Sequence, residues 1–301
     1  MVRWRKDGAD PSAGAADAAA SVRTLAVLLQ AGARPAAAWR HLSEAGDPRA
    51  ERIVVRCDRA QELVAAIASE GGAWSDVAAA WEVATVVGAP LADTLRSLAE
   101  ALQDSASAAD DVRIALAEPA GTARLLLWLP FAGLLLGFAL GFDTIAVLVT
   151  DPLGAVSLVA GLGLVLTARL WTSRLVRNAQ PEPGTPGMHA ELVAIALSGG
   201  TAIPRALSLV AQSGASHREG EAESTEAVLE LSRSAGVPAA ELLHASAAQR
   251  RHEARVRGRL RAARLSSRLL LPLGACTLPA FLLLGVAPLM LSVLRSTPLP
   301  S

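Results

Sequence analysis

Three long apolar runs limit the folds available to this chain more than any other feature of its sequence. They cover residues 125–141, 153–170 and 269–294, and the first contains no charged residue. A helix needs about 20 apolar residues to cross the roughly 30 Å hydrocarbon core of a bilayer. Cores of water-soluble proteins seldom use helices that are apolar on every face. The runs therefore predict three membrane-spanning helices, over residues 124–142, 153–171 and 268–295.

Composition agrees with this prediction. The chain is 52% hydrophobic and 19% charged, and its mean hydropathy is +0.37. Its 28 basic and 28 acidic residues cancel, so net charge gives no indication of a nucleic-acid partner. Pro272, Pro279 and Pro288 would kink the third span, which lipid tolerates where neighbouring groups satisfy the freed carbonyls.

The arginines predict how the spans are oriented. Arg169, Arg174 and Arg177 follow the second run, and six more arginines precede the third, between residues 255 and 268. The connection 142–152 holds two aspartates and no Lys or Arg. Basic residues mark the cytoplasmic side of a membrane protein. We therefore expect a multi-pass plasma-membrane protein with a cytoplasmic N-terminus and an external tail, residues 296–301.

Residues 21–123 predict a cytoplasmic helical bundle, after a disordered tail over residues 1–20. Apolar residues recur at helical spacing in blocks separated by Gly and Pro, which gives about six short helices. We expect turns at Gly32, Gly88 and Pro90. Asp110 and Asp111 are interpreted as a solvated helix start.

A second, shorter bundle is predicted over residues 188–267, after a linker over 172–187. Residues 25–46 align with residues 193–214 at an offset of 168, and Gly88 and Pro90 align with Gly236 and Pro238 at an offset of 148. Gly200 repeats Gly32. The offsets differ by 20 residues, about the length of the third helix of the first bundle, so we expect the second bundle to lack that helix. In its place stands the segment 214–223, which we interpret as a solvated acidic linker.

The predicted fold is therefore an all-α membrane protein with two cytoplasmic helical bundles, related as an internal repeat, and three transmembrane helices. Each bundle opens with an L-x-x-x-L-x-x-G motif, whose first position is Leu25 in the first bundle and Val193 in the second. Near the end of each bundle, Gly-x-Pro precedes a helix with regularly spaced leucines. With the span order, these motifs resemble the type II secretion system F family. The segments at residues 88–102, 115–143 and 269–294 look most like its Tad (Flp pilus) branch in actinobacteria.

This resemblance implies an inner-membrane platform protein of a type II secretion or type IV pilus machine. Its partners would be a secretion ATPase, pilin subunits, membrane lipid, and a related platform protein or a second copy of the chain. The resemblance implies neither an enzyme nor a cofactor. A small-molecule permease subunit or membrane regulator is the alternative, although none of the three runs carries an ionisable residue in its interior.

The sequence lacks the common catalytic motifs, which favours a non-enzymatic role. The chain has one lysine, no phosphate-binding G-x-x-x-x-G-K-[ST] loop and no G-x-S-x-G elbow. No two of its five histidines have the i, i+4 spacing of a helical metal site. We interpret these histidines as surface or hydrogen-bonded residues.

A cluster of arginines leads into the third run. Two interpretations stay open for it: a positive-inside signal in contact with anionic lipid headgroups, or a docking strip for an acidic partner such as the assembly ATPase. The residues concerned are Arg255, Arg257, Arg259, Arg261 and Arg264.

Overall fold

The computed structural model describes residues 11–139, 152–179, 184–215, 220–287 and 290. Within these ranges every regular element is a helix, which confirms the predicted all-α class for this part of the chain. The chain divides into two compact units. We call Met1–Asp110 with Glu182–Arg257 the head unit, and Asp111–Pro181 with Gly258–Ser301 the span unit.

Twelve α-helices occur in the described ranges, and two π-helical turns flank the last of them. The α-helices are α1 (Pro11–Gln30), α2 (Pro35–Glu44), α3 (Pro48–Asp58), α4 (Leu63–Ala68), α5 (Ala73–Val87), α6 (Leu91–Ala139), α7 (Pro152–Ala179), α8 (Met188–Ser198), α9 (Ile203–Gln212), α10 (Glu221–Ala235), α11 (Ala239–Pro272) and α12 (Leu278–Phe281). The π-helical turns are Leu273–Thr277 and Leu282–Val286.

One hydrophobic core holds the head unit together. Trp39 of α2 lies with its ring centroid 6.1 Å from that of Trp74 and 5.9 Å from that of Trp81. Leu192 of α8 and Leu243 of α11 belong to the same buried cluster. Two bundles were expected from the sequence, but residues of both predicted bundles share this core and lie in one unit.

The predicted disordered tail over residues 1–20 is wrong for its second half. Helix α1 begins at Pro11, and Ala18 and Ala19 are fully buried. Alanine has the highest helix propensity, and its small side chain fits where helices pack closely. Residues 1–10 lie outside the described residues.

Two predicted helix boundaries differ from the structure. The third helix of the first bundle is broken into α3 and α4, and the break contains Ala60, whose φ is +65°. In contrast, α6 continues through the predicted boundary at residue 123 as one helix, although Pro119 and Gly121 stand just before that boundary. Asp110 and Asp111 therefore lie inside a helix, not at a solvated helix start.

The predicted linker over residues 172–187 is largely structured. Helix α7 continues to Ala179, so the first half of the segment is helical. At its other end Thr185 and Gly187 are buried in the head unit. Only residues 180–183 of this segment lie outside the described part.

Two helical segments of the described chain are long and apolar enough to cross a membrane. They are Gly154–Asn178 and Ala239–Val286, and only 22% and 44% of their most apolar windows are buried by the protein itself. The remaining surface is suited to lipid, as predicted for the second and third spans. The first predicted span is helical to Ala139, where Leu125, Trp128 and Leu135 are exposed; residues 140–142 lie outside the described part, and this span stays a prediction.

The π-helical turns accommodate Pro272 and Pro279 of the third predicted span, and Pro288 lies outside the described residues. Proline has no N–H to donate and its ring clashes with the carbonyl four residues earlier. A π-helical turn of five residues, Leu273–Thr277, fills most of the stretch between Pro272 and Pro279. The helical path continues through this widened turn.

Glycine permits a close contact between α7 and the segment that follows α12. A Cβ atom added to Gly161 would lie 2.5 Å from Cγ of Leu284, which is itself buried. Gly163, two residues along, has nothing within 4 Å of its added Cβ atom. The first glycine is therefore a packing position, and the second faces open space.

Gly161→Ala is expected to destabilise the span unit by about 1–3 kcal/mol, because Leu284 must leave its position to admit the new methyl group. Gly163→Ala should instead be neutral or stabilise by up to about 1 kcal/mol, because alanine favours the helix and meets no neighbour. The apparent Tm of the two variants in detergent micelles checks this expectation. Equal shifts of the same sign would contradict the packing.

Candidate functional site: a buried polar network in the head unit

Polar and charged side chains are buried around helix α8 of the head unit. Burial of such groups costs several kcal/mol unless they are paired or hydrogen-bonded. The exposed fraction is 2% for Glu191, 4% for Glu221 and 1% for Thr225. The ion-pair and hydrogen-bond partners of these side chains therefore determine whether their burial is compensated within the protein.

Glu191 bridges α8 and α11. Its Oε1 lies 2.9 Å from Nδ1 of His244, and its Oε2 lies 3.4 Å from a terminal guanidinium nitrogen of Arg251. The Nε of Arg251 lies 3.5 Å from Oδ2 of Asp104, on α6. Three helices of the head unit are thus joined by one chain of opposite charges.

The charge of Glu191 changes the acidity of its histidine partner. The hydrogen bond to Glu191 raises the pKa of His244 above its ordinary value, while partial burial and the nearby Arg251 act in the opposite direction. Folding therefore favours the imidazolium form relative to the unfolded chain. In that form the ring donates from Nδ1 to the carboxylate.

Glu221 caps the start of α8 from the first residue of α10. Its two carboxylate oxygens accept hydrogen bonds from the backbone N–H groups of Gly187 at 2.8 Å and His189 at 3.3 Å. The first N–H groups of a helix have no partner inside the helix, and a carboxylate placed there also interacts favourably with the helix dipole. The prediction that residues 214–223 form a solvated linker is thus wrong for Glu221, and residues 216–219 lie outside the described part.

The same capped turn fits directly against the backbone of α11. Gly187 has a φ of +78°, and a Cβ atom added to it would lie 2.8 Å from both Cα and O of Ala247. The Nδ1 atom of His189 lies 3.0 Å from the hydroxyl oxygen of Thr225. Only glycine can occupy this position at such a close backbone approach.

The first half of the head unit, which is its segment before Asp111, has its own buried carboxylate. Glu70 lies between Arg52 and Arg56 of α3. Its Oε2 lies 2.5 Å from the guanidinium group of Arg52, and its Oε1 lies 2.5 Å from that of Arg56. The hydrogen bond from Arg52 and then that from Arg56 lower the pKa of Glu70 against the opposing effect of burial. This pair of bonds ties α3 to the turn before α5.

The glycines predicted as repeat turns lie at helix ends. The φ angles are +90° for Gly32, +72° for Gly88, +80° for Gly200 and +68° for Gly236. These left-handed conformations are disfavoured for residues that carry a Cβ atom. The carbonyl oxygens of Pro90 and Pro238 accept helix-opening hydrogen bonds from Thr94 and Leu242, at 3.0 and 3.4 Å.

The five arginines predicted as a docking strip differ in their surroundings along α11. Arg259 donates to Asp111 of α6 at 2.8 Å, and Arg257 lies 4.0 Å from Glu253 of its own helix. Arg255 and Arg261 also take part in interactions. Arg264 is exposed.

The network joins helices through ion pairs and hydrogen bonds. In the described ranges no group of three or more His, Cys, Asp or Glu residues could hold a metal ion. Every partner of Glu191 and Glu221 named above belongs to the protein itself. The arrangement can therefore fix the relative positions of α8, α10 and α11.

Sequence reasoning missed both buried glutamates, although a signal for Glu191 was present. Helix α8 reads MHAELVAIALS, in which Glu191 is the single charged residue of an otherwise apolar helix. A helix that is apolar on nearly all faces is buried, so its charged residue requires a partner. No sequence pattern identifies that partner, because His244 and Arg251 lie more than 50 residues further along the chain.

Comparison with known proteins places a match on the first part of the chain. Residues 21–139 match the family model of the type II secretion system protein F. This segment extends from α1 to the end of α6 and covers less than half of the 301 residues. No curated protein and no solved structure matches the chain significantly.

Proposed function

We propose that the chain is a non-enzymatic platform protein in the plasma membrane of a bacterial type II secretion or type IV pilus machine. The match of residues 21–139 to the secretion protein F family carries this proposal. Proteins of that family are structural membrane platforms that work with secretion ATPases and related platform proteins. Within it, the sequence motifs favour the Tad (Flp) pilus branch.

The membrane topology of the proposal is three spans with the head unit in the cytoplasm. The two candidate spanning segments and the exposed apolar residues of α6 support the spans. The arginines that flank the second and third spans support the orientation, with the N-terminus inside and the C-terminus outside.

The two halves of the head unit are proposed to be an internal repeat. An offset of 168 carries the bounds of α2 onto those of α9, residue for residue, and an offset of 148 does the same for α5 and α10. On this alignment the second half has no equivalent of α3 and α4. The sequence predicted that the second bundle lacks one helix of the first bundle. In the structure, two short helices of the first half, α3 and α4, occupy the place of that one helix.

In the proposed mechanism the head unit receives the motion of a cytoplasmic ATPase and passes it towards pilin subunits in the membrane. Helices α6 and α11 each begin in the head unit and end in the span unit, so each supplies an unbroken path along the chain. The Glu191 bonds hold α8 to α11 and would resist slippage when force is applied to the head unit.

A pulldown of the full-length protein, solubilised in detergent from its native host, tests this function. We expect recovery of a secretion ATPase and of a second platform protein or a second copy of the chain. The double variant Arg257→Glu with Arg264→Glu should lower ATPase recovery about tenfold if these arginines dock it, since each exposed charge pair contributes up to about 1 kcal/mol. Arg259 is left intact because it bonds to Asp111.

The matched control reverses two exposed arginines that lie outside α11, Arg34→Glu and Arg205→Glu. This control should bind the ATPase as well as the unchanged protein does. Recovery of neither expected partner with the unchanged protein would contradict the platform function. Full ATPase binding by the Arg257 and Arg264 variant would leave that function standing and assign the arginines to membrane orientation and lipid contact.

A further inference from the structure

One helix face is covered in the first half of the head unit and open in the second. In the first half α3 packs on α2, and α4 packs on α5. Trp39 of α2 and Ala78 and Ala79 of α5 are no more than 3% exposed. A covering layer of two short helices therefore belongs to this face.

The equivalent positions in the second half face the solvent. An offset of 168 places Leu207 at the position of Trp39, and an offset of 148 places Glu226 and Ala227 at those of Ala78 and Ala79. Leu207 is partly exposed, and both Glu226 and Ala227 are exposed. Residues 213–215 and 220, the described part of the connection from α9 to α10, contain no helix; residues 216–219 lie outside the described part.

The uncovered face forms a groove of about 530 Å³ between α9 and α10. Leu207 and the buried Leu229 provide an apolar floor. The remaining lining residues are Glu223, Glu226, Ala227, Glu230 and Arg233. Three carboxylates thus face one guanidinium group, which is already paired with Glu230 at 3.0 Å.

We propose that this groove binds a short amphipathic helix of a partner protein, with an apolar ridge against the leucines and Arg or Lys side chains towards the glutamates. The in-chain precedent for the apolar ridge is α3, which packs on α2 and buries Ala50 and Ile53, whereas its Arg52 and Arg56 bond to Glu70. Opposite charges at the rim of such a groove select the partner and its orientation. The proposal depends on the alignment of the two halves and holds whichever machine the protein serves.

Fluorescence anisotropy with the full-length protein in detergent micelles tests the proposal directly. The probe is a fluorescein-labelled peptide with the sequence of residues 48–62, with Cys57→Ser to prevent oxidation. We expect saturable binding, weakened at least tenfold by the double variant Glu226→Arg with Glu230→Arg. A second peptide, which carries Arg52→Glu and Arg56→Glu, should prefer that variant to the unchanged protein.

The matched control is Glu44→Arg with Glu62→Arg, two exposed glutamates outside the groove. This control should bind the first peptide with unchanged affinity. Absence of saturable binding, or equal affinity for the unchanged and the groove-reversed protein, would overturn the proposal and leave the groove as a solvated surface. Because this measurement involves neither ATPase nor pilin, its failure is distinct from failure of the platform function.

Discussion

Gly187→Ala is expected to lower the free energy of unfolding by about 4 kcal/mol and the apparent Tm by roughly 10 °C. Two effects add at this position. An alanine at a φ of +78° is strained, which costs about 1–2 kcal/mol. Its Cβ atom would also lie 2.8 Å from Cα and O of Ala247, which are backbone atoms of α11 and cannot rotate away. Thermal unfolding of the detergent-solubilised protein measures the loss.

Gly200→Ala is the control that separates these effects. Gly200 has a φ of +80°, close to that of Gly187, but nothing lies within 4 Å of an added Cβ atom. Its substitution should therefore cost only the backbone strain of about 1–2 kcal/mol. A fall in Tm as large as that of Gly187→Ala would show that the approach to Ala247 contributes nothing.

The contrast between these two glycines shows how far sequence reasoning reaches in this fold. Gly200 could be predicted as a turn because it ends an apolar block and repeats Gly32. Gly187 lies at the end of a Pro- and Gly-rich stretch that is typical of a linker, so its burial could not be expected. A turn is a local property of a few residues, whereas close approach depends on a helix 60 residues further along.

Helices could likewise be predicted from single segments of the sequence, whereas the partners of buried charges could not. The apolar runs predicted all-helical structure and long helices, because periodicity and length are properties of one segment. The continuation of α6 past residue 123 could not be expected from local signals, because Pro119 and Gly121 stand just before that boundary and both disfavour a helix. The partners of Glu191 and Glu221 come from other helices, and only the folded chain brings them together.

Glu191→Ala is expected to destabilise the protein by about 3 kcal/mol, because it removes the carboxylate that lies nearest to the buried guanidinium group of Arg251. The side chain of Arg251 is only 11% exposed, and its other carboxylate, Asp104, lies 3.5 Å away. Glu230→Ala is the control, since it removes an exposed partner of Arg233 and should cost no more than about 0.5 kcal/mol. Chemical unfolding at fixed pH measures both.

The same variant should also change how stability depends on pH. Because Glu191 raises the pKa of His244 in the folded state, this pair stabilises the protein fully below pH about 6.5, the ordinary histidine value. That contribution is lost as the pH rises through the higher pKa of the folded state. The unchanged protein should therefore lose stability over this interval above pH 6.5, and Glu191→Ala should lose less. Parallel stability curves for the two proteins would show that the bond to His244 does not hold α8 to α11.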